Sequence, residues 1–309
     1  MKIAVVGSYG VGLTMRVPRF PSAGETVSGG SFASEHGGKG SNQAIGAARL
    51  GARVSFLTAI GDDAHGSAAR ELWTREGVDA ERVLTAQGPT MVGFIEVDPS
   101  GENRIAIAPG ALDELDADAV EAFRPEIEGA DVLVVSMEIP RAAVAAALRI
   151  GRLCGTRTLL NPAPARRLPD EVWADIDVIT PNQTEAPVLL GLVADHGLDD
   201  VALATMLQQR TGGCAILTRG GHGALIADAE GVRPVQAHAV ANVVDTTGAG
   251  DSFTAALAVG LATGRSIDAA AELAAAAGAH AVTVAGVIPS LPTAEQLGLP
   301  RPTQNGEAR

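Results

Sequence analysis

The stretch NVVDTTGAGDSFTAALAVGLATG, Asn242 to Gly264, sets two acidic residues around a turn of small residues that opens an alanine-rich helix. Gly248, Ala249 and Gly250 allow successive backbone N–H groups to converge at a helix N-terminus, where unpaired donors and the macrodipole favour an anion. A phosphoryl group in transfer suits such a turn. Asp251 falls in the first helical turn beside it, placed to take a proton from an attacking hydroxyl. Asp245 lies on the strand side. The same pattern also reads as an ordinary turn with a capping aspartate. A second stretch, HGGKGSNQAIGAARLG, His36 to Gly51, joins a permissive glycine loop carrying Lys39 to a helix expected to start near Ser41 or Asn42 and to stop at Gly51. It lacks the spacing of a P-loop, because Lys39 is followed by Gly40 before any hydroxyl residue.

These segments need a scaffold. Apolar runs at Lys2–Val6, Val54–Ala59, Val132–Ser136, Thr158–Asn161, Val178–Thr180 and Ala215–Thr218 alternate with alanine-rich stretches of helical spacing. That rhythm predicts an α/β fold, a mostly parallel sheet sandwiched between helices on both faces. Two intervals break it. Residues 13–35 are rich in Gly, Pro and Ser, and within 90–108 the alternating segments MVGFIEV and NRIAIA flank DPSG. Both read as antiparallel strands outside the main sheet, forming a small β-lid over the edge where the parallel strands end. The chain is expected to be one α/β domain over 1–309, with a frayed tail at 300–309.

The opening run IAVVGSYGVG carries Gly7, Gly10 and Gly12 in an order that does not match G-x-G-x-x-G, and two prolines follow where a phosphate-binding helix should run. A strand leaving the sheet for the lid fits better. Among 309 residues the formal net charge is −13, which disfavours nonspecific attraction to nucleic acid or anionic membrane. No apolar run reaches the roughly 18 residues of a membrane span and Met1-Lys2 leads straight into a strand-like run, so a cytoplasmic protein acting on small molecules is expected. Cys154 and Cys214 form no C-x-x-C pair and read as two buried thiols; the six histidines lack zinc spacing. Trp73 and Trp173 read as packing anchors, and His36 as packing or rim.

In combination, GGKGSNQA and DTTGAGDSF resemble the two signatures of the ribokinase-like (PfkB) family of ATP-dependent sugar kinases. MEIP (137–140), NPAPAR (161–166), TPNQTE (180–185), LTRGGHG (217–223) and AVTVAGVIPS (281–290) stand in the family's order, so the likeness spans nearly the whole chain. It implies the family's three-layer sandwich with a β-lid, and phosphorylation of a primary hydroxyl of D-ribose or another small carbohydrate by ATP.

The resemblance also implies roles. Asp251 matches the catalytic base and Gly248–Gly250 the anion hole. Gly38, Lys39, Asn42 and Glu138 match sugar-contact positions, with Ile95 and Ile107 of the lid covering one face of the substrate. Asn182 and Glu185 match positions that organise Mg²⁺, water and phosphates; for Asn182 a helix cap is the competing reading. Thr218, Gly220 and Gly223 match the nucleotide loop. Asp245, Thr247, Ala281, Val284, Gly286 and Ser290 occupy the places of a potassium site. A homodimer through the lid is expected. One departure stands out: Gly10 and Gly12 occupy positions where the family carries an amide and a carboxylate that hold sugar hydroxyls. Their place is open to a bulkier substrate, to Tyr9 or to a lid side chain. A nucleoside kinase, or a catalytically weak sugar or nucleoside sensor, are the alternatives.

Overall fold

A computed structural model describes residues 1–193 and 195–300; the expected frayed tail therefore lies, apart from Pro300, outside the described residues. In chain order the strands are β1 (Lys2–Val6), β2 (Gly10–Arg16), β3 (Ser31–Gly37), β4 (Arg53–Leu57), β5 (Ala59–Gly61), β6 (Val78–Asp79), β7 (Leu84–Ala86), β8 (Val92–Val97), β9 (Asn103–Ala108), β10 (Val132–Ser136), β11 (Arg157–Asn161), β12 (Val178–Ile179), β13 (Cys214–Thr218), β14 (Ala224–Asp228) and β15 (Gly231–Val235). The helices are α1 (Lys39–Arg49), α2 (Ala64–Arg75), α3 (Ala117–Ala122), α4 (Arg124–Glu128), α5 (Arg141–Cys154), α6 (Glu185–Leu190), α7 (Asp200–Thr211), α8 (Ala249–Ala262), α9 (Ile267–Ala281) and α10 (Val287–Ser290).

Nine strands form the main sheet in the order β15-β14-β13-β12-β11-β10-β1-β4-β6. From β13 to β6 all pairings are parallel, and the β14–β15 hairpin continues the edge antiparallel. Because both faces are covered, strands such as β10 are buried at every position, which is why they read as unbroken apolar runs. Alternate residues feed two cores. Ile3, Val5, Val132 and Val134 pack under α1, α8 and α9; Ala4, Val6, Leu133 and Val135 pack under α3, α4, α5 and α7. This is the expected three-layer α/β sandwich.

The departing segments pair as a separate four-stranded sheet, β3-β2-β8-β9, antiparallel except for the parallel β2–β8 contact. It begins earlier than the 13–35 interval, at Gly10, and β3 ends at Gly37, directly before α1. A short third sheet pairs β5 with β7.

Small residues set how closely the helices approach. A Cβ on Gly46 of α1 would lie 2.8 Å from the Ala255 Cβ of α8, and one on Gly260 of α8 would lie 2.7 Å from the Ala270 Cβ of α9. Larger residues at these contacts would push the helices apart. Both tryptophans are buried, and Trp73 Nε1 donates to Ser41 Oγ at 2.9 Å. Only one of the two thiols is buried: Cys214 is, whereas Cys154, at the exposed end of α5, is partly open and lies 3.8 Å from an Arg124 guanidinium nitrogen. Among the described residues no helix is long and apolar enough to cross a membrane.

Candidate active site

The glycine loop ahead of α1 lies directly on the turn after β1. A Cβ on Gly40 would come within 2.5–2.7 Å of Gly7 and Ser8 backbone atoms, and Gly38 holds φ at 93° against Ser8 and Tyr9. Only glycine fits this approach. The start of α1 then lacks a local cap, and a distant carboxylate supplies one: Glu138, just after β10, accepts from the Lys39 N–H at 3.0 Å and from the Ser8 hydroxyl. The helix consequently begins at Lys39, ahead of the Ser41 or Asn42 start expected from sequence, and ends at Arg49. Of the expected sugar-contact group, Glu138 is thus engaged with the loop itself.

Across the contact between α1 and α8, the first turns of the two helices meet. Asp251 is 7% exposed. Its Oδ2 accepts from Asn42 Nδ2 at 2.8 Å and its Oδ1 from Gln43 Nε2 at 2.9 Å. Burial raises its pKa, opposed by the Lys39 ammonium and the two amides and reinforced by Glu138. For Lys39, burial works against the charge, but Asp251, Glu138 and Glu185 outweigh it and hold the ammonium above its ordinary pKa. Burial likewise raises Glu185, opposed by the Asn182 N–H and Lys39. Asn42, expected to touch sugar, is therefore bonded to Asp251. Gln43 was not singled out in the sequence, although it stands beside Asn42 in the same motif.

At the N-terminus of α8 the open backbone donors are not the consecutive three of Gly248, Ala249 and Gly250. Gly248 adopts φ 82°, where a Cβ would also press on Val287. The Ala249 N–H turns to Thr246 O at 3.3 Å, and Ser252 N begins the helical ladder on Gly248 O. Among the described residues the N–H groups of Gly248, Gly250 and Asp251 are left without an acceptor. Val243 and Val244 lie in a segment without strand structure and are exposed.

A cavity of about 310 Å³ opens here, lined by Lys39, Asn161, Asn182, Glu185, Gly248, Gly250 and Asp251 among others. It adjoins a second, of about 400 Å³, which shares Asn182, Thr218, Thr246, Gly250 and Phe253 and adds Gly220, Gly223, Val240, Ala279 and Val282. Gly223 takes φ 77°, and a Cβ there would strike Val235 O at 2.1 Å. Gly10, Gly12, Gly38 and Glu138 line neither cavity.

Asn182 behaves as a helix cap: its Oδ1 accepts from the N–H groups of Thr184 and Glu185 and from the Thr184 hydroxyl, while Glu185 Oε2 accepts from Asn182 N at 2.8 Å. Its Oδ1 is thereby occupied by the protein. No group of three or more His, Cys, Asp or Glu among the described residues is arranged to hold a metal. Glu185, with its other oxygen free of such a bond, suits a hydrated cation held chiefly by phosphates. Asp245 ties the segments of the expected potassium site together, accepting from Thr247 N and Oγ1 and, through its other oxygen, from Gly286 N at 3.0 Å. These bonds, the Thr247 hydroxyl first, lower its pKa against a smaller cost of burial.

The space beside Gly10 and Gly12 has definite neighbours. A Cβ on Gly10 would meet Met91 Cε at 2.4 Å, and one on Gly12 would lie 3.7 Å from Ile95 Cδ1. Tyr9 is elsewhere: fully buried, it stacks edge-on with Trp73 and shares a 2.8 Å hydrogen bond with His36 Nδ1. Strand register puts Ile95, Ile105 and Ile107 on the same face as Gly12.

The chain matches the model of the pfkB family carbohydrate kinases over residues 1–294. It is 35% identical over 295 residues to a ribokinase of Haemophilus influenzae, covering 95% of this chain and 96% of that one. It is 34% identical over 301 residues to a deoxyribokinase of Salmonella typhi, covering 96% and 97%. The structure of an Arabidopsis thaliana ribokinase complexed with ribose and ATP superposes with a TM-score of 0.88 at 28% identity, covering 96% of this chain and 97% of that one.

Proposed function

Because the chain belongs to the pfkB family of carbohydrate kinases, we propose that it moves the terminal phosphoryl group of ATP to a primary hydroxyl of a sugar, with Asp251 taking the hydroxyl proton. The observation that carries this reading is the buried Asp251 carboxylate, gripped by two amides beside the open donors of α8 and facing the same cavity as Lys39. Phosphoryl transfer demands positioning and charge neutralisation more than covalent chemistry. The N–H groups of Gly248, Gly250 and Asp251 supply the anion site, in place of a set that included Ala249, and Lys39 adds positive charge. The second cavity receives the nucleotide, its glycines Gly220 and Gly223 near the phosphates and its apolar wall of Val240, Ala279 and Val282 against the base. Mg²⁺, when bound with the nucleotide, neutralises phosphate charge; Glu185 would hold it through water, with Asn182 fixing that helix end.

The four-stranded sheet acts as the lid, with Ile95 and Ile107 toward the substrate. Gly10 and Gly12 leave the lid side of the site without hydroxyl partners, and the Met91 side chain fills the space beside Gly10. A sugar that presents few hydroxyls to that wall fits this arrangement better than a nucleoside that needs room there. The test is an ATP-consumption screen over pentoses, deoxypentoses, ketohexoses, sugar acids and nucleosides. Turnover on a sugar is expected; binding without turnover on any compound would turn the reading to a sensor, and turnover on nucleosides alone to a nucleoside kinase.

Potassium held by main-chain oxygens near Asp245, Thr247, Ala281, Val284, Gly286 and Ser290 raises activity in this account; equal rates in potassium, sodium and a large organic cation would remove it. Exposed Phe32 and Phe94, on the face of the lid sheet opposite Ile95 and Ile107, favour pairing of two lids. Light scattering that finds a monomer at assay concentration would contradict that pairing. The protein's place in the cytoplasm belongs to the same proposal, and fractionation of its host cells tests it.

A further inference from the structure

We infer that Gln43 is a positioning residue, its side-chain amide tying the Asp251 carboxylate to Asn161 at the end of β11. The inference rests on Asp251 as the base and adds the means by which that base is aimed. Gln43 is fully buried on the first turns of α1. A carboxamide nitrogen carries two hydrogens, and both are used: Nε2 donates to Asp251 Oδ1 at 2.9 Å and to Asn161 Oδ1 at 3.0 Å. Asn161 in turn donates to Thr180 O at 3.4 Å, just past β12. The base is thereby anchored to the end of the main sheet as well as to its own helix.

The orientation of the amide follows from its partners. Swapping oxygen for nitrogen would aim Oε1 at two acceptor oxygens, so the arrangement with Nε2 between them is the one that bonds both, with Oε1 left without a partner. Successive helical residues point about 100° apart, yet Asn42 and Gln43 both reach Asp251, one on each oxygen. Two donors fix the rotation of the carboxylate about its Cβ–Cγ bond, which one donor would leave free. An ionised carboxylate has about four lone-pair sites. Two are filled by the amides, and a lone pair on each oxygen stays open for the incoming proton.

The charged groups facing Asp251 are Lys39 at the head of α1 and Glu138 after β10, with Glu185 beside Lys39; the first turn of α8 adds its positive dipole end. Against that fixed background, the Gln43 donor favours the ionised base. Its removal raises the pH at which the base becomes available.

The test is the pH dependence of kcat/KM on a sugar the enzyme accepts. Gln43→Met keeps the length of the side chain and removes the donor. It is expected to move the acid limb upward by about one pH unit, the usual worth of a hydrogen bond to a charged group, and to lower kcat about tenfold at neutral pH with KM for ATP unchanged. Gln43→Glu, of equal size, sets a second carboxyl beside the base and is expected to move the limb further. In the unaltered enzyme labelled with ¹⁵N-glutamine, the Gln43 side-chain resonance is expected to titrate with the midpoint of that limb, a measurement that needs no variant to fold. A limb that stays in place in either folded variant, or a Gln43 resonance indifferent to pH, overturns the inference. If Asp251→Asn keeps its turnover, the base assignment fails as well; if that variant is inactive while the limb does not move, only the role of Gln43 is lost.

Discussion

Replacing Gly40 with alanine is expected to pull the two halves of the active site apart. The added Cβ would stand 2.5 Å from the Gly7 carbonyl carbon, 2.6 Å from its Cα and 2.7 Å from the Ser8 nitrogen. Carbon atoms pack at about 3.5–4.0 Å, so the head of α1 must withdraw from the turn after β1 by about 1 Å. All three obstructing atoms are backbone, and no side chain can rotate away. Asn42 and Gln43 follow in the same helix and carry that displacement to Asp251, where their hydrogen bonds of 2.8 and 2.9 Å have little room to stretch. A misplacement of about 1 Å costs roughly 10²-fold in rate, while the crowding itself costs about 1–3 kcal/mol of stability and leaves the protein folded. Coupled-assay kcat/KM on an accepted sugar, paired with thermal unfolding, reads both quantities. Gly40→Ala turning over within threefold of the parent would refute the reasoning.

At the lid wall, Gly12→Asp has room beside Ile95 and is expected to raise the preference for a hydroxyl-rich pentose over its deoxy analogue by tenfold or more. Gly10→Asn should do so only when combined with Met91→Ala, since Met91 fills its space; competition kinetics between the two sugars decides both. On the far edge of the sheet, Arg233 pairs with Asp228 at 2.8 Å and with Asp268 at 2.5 Å, and these bonds lower both carboxyl pKa values. A lowered carboxyl pKa gives stability that is present above the ordinary carboxylate range and is lost as the pH falls through the folded-state value. Arg233→Ala should therefore cost about 1 kcal/mol at neutral pH, allowing for solvent screening, with the difference shrinking below about pH 4. Denaturant unfolding at several pH values follows it, and a cost independent of pH would contradict the sign.

Much of the fold was legible because burial on two faces demands unbroken apolar strands, and the turns between them demand glycine. The candidacy of Asp251 rests on the family resemblance, because an acid directly after a glycine turn at a helix start also reads as an ordinary cap. What joins the elements was not legible. The cap of α1 comes from Glu138, distant in sequence, so the true helix start at Lys39 has no local signal. The hairpin of β14 and β15 was passed over, though ALIADAEGVRPV carries a turn between two alternating runs. Asn42 is of a type that suits sugar hydroxyls, and only the meeting of α1 with α8 brings its Nδ2 to Asp251 as well. The occupant of the space at Gly10 depends on Met91, which becomes a neighbour only through the pairing of β2 with β8.

Turnover of Asp251→Asn on an accepted sugar tests the central claim most directly. Loss of a positioned base is worth about 10²–10⁴ in rate. The account predicts a fall of that size in kcat with ATP binding retained, and turnover close to that of the parent enzyme would contradict it.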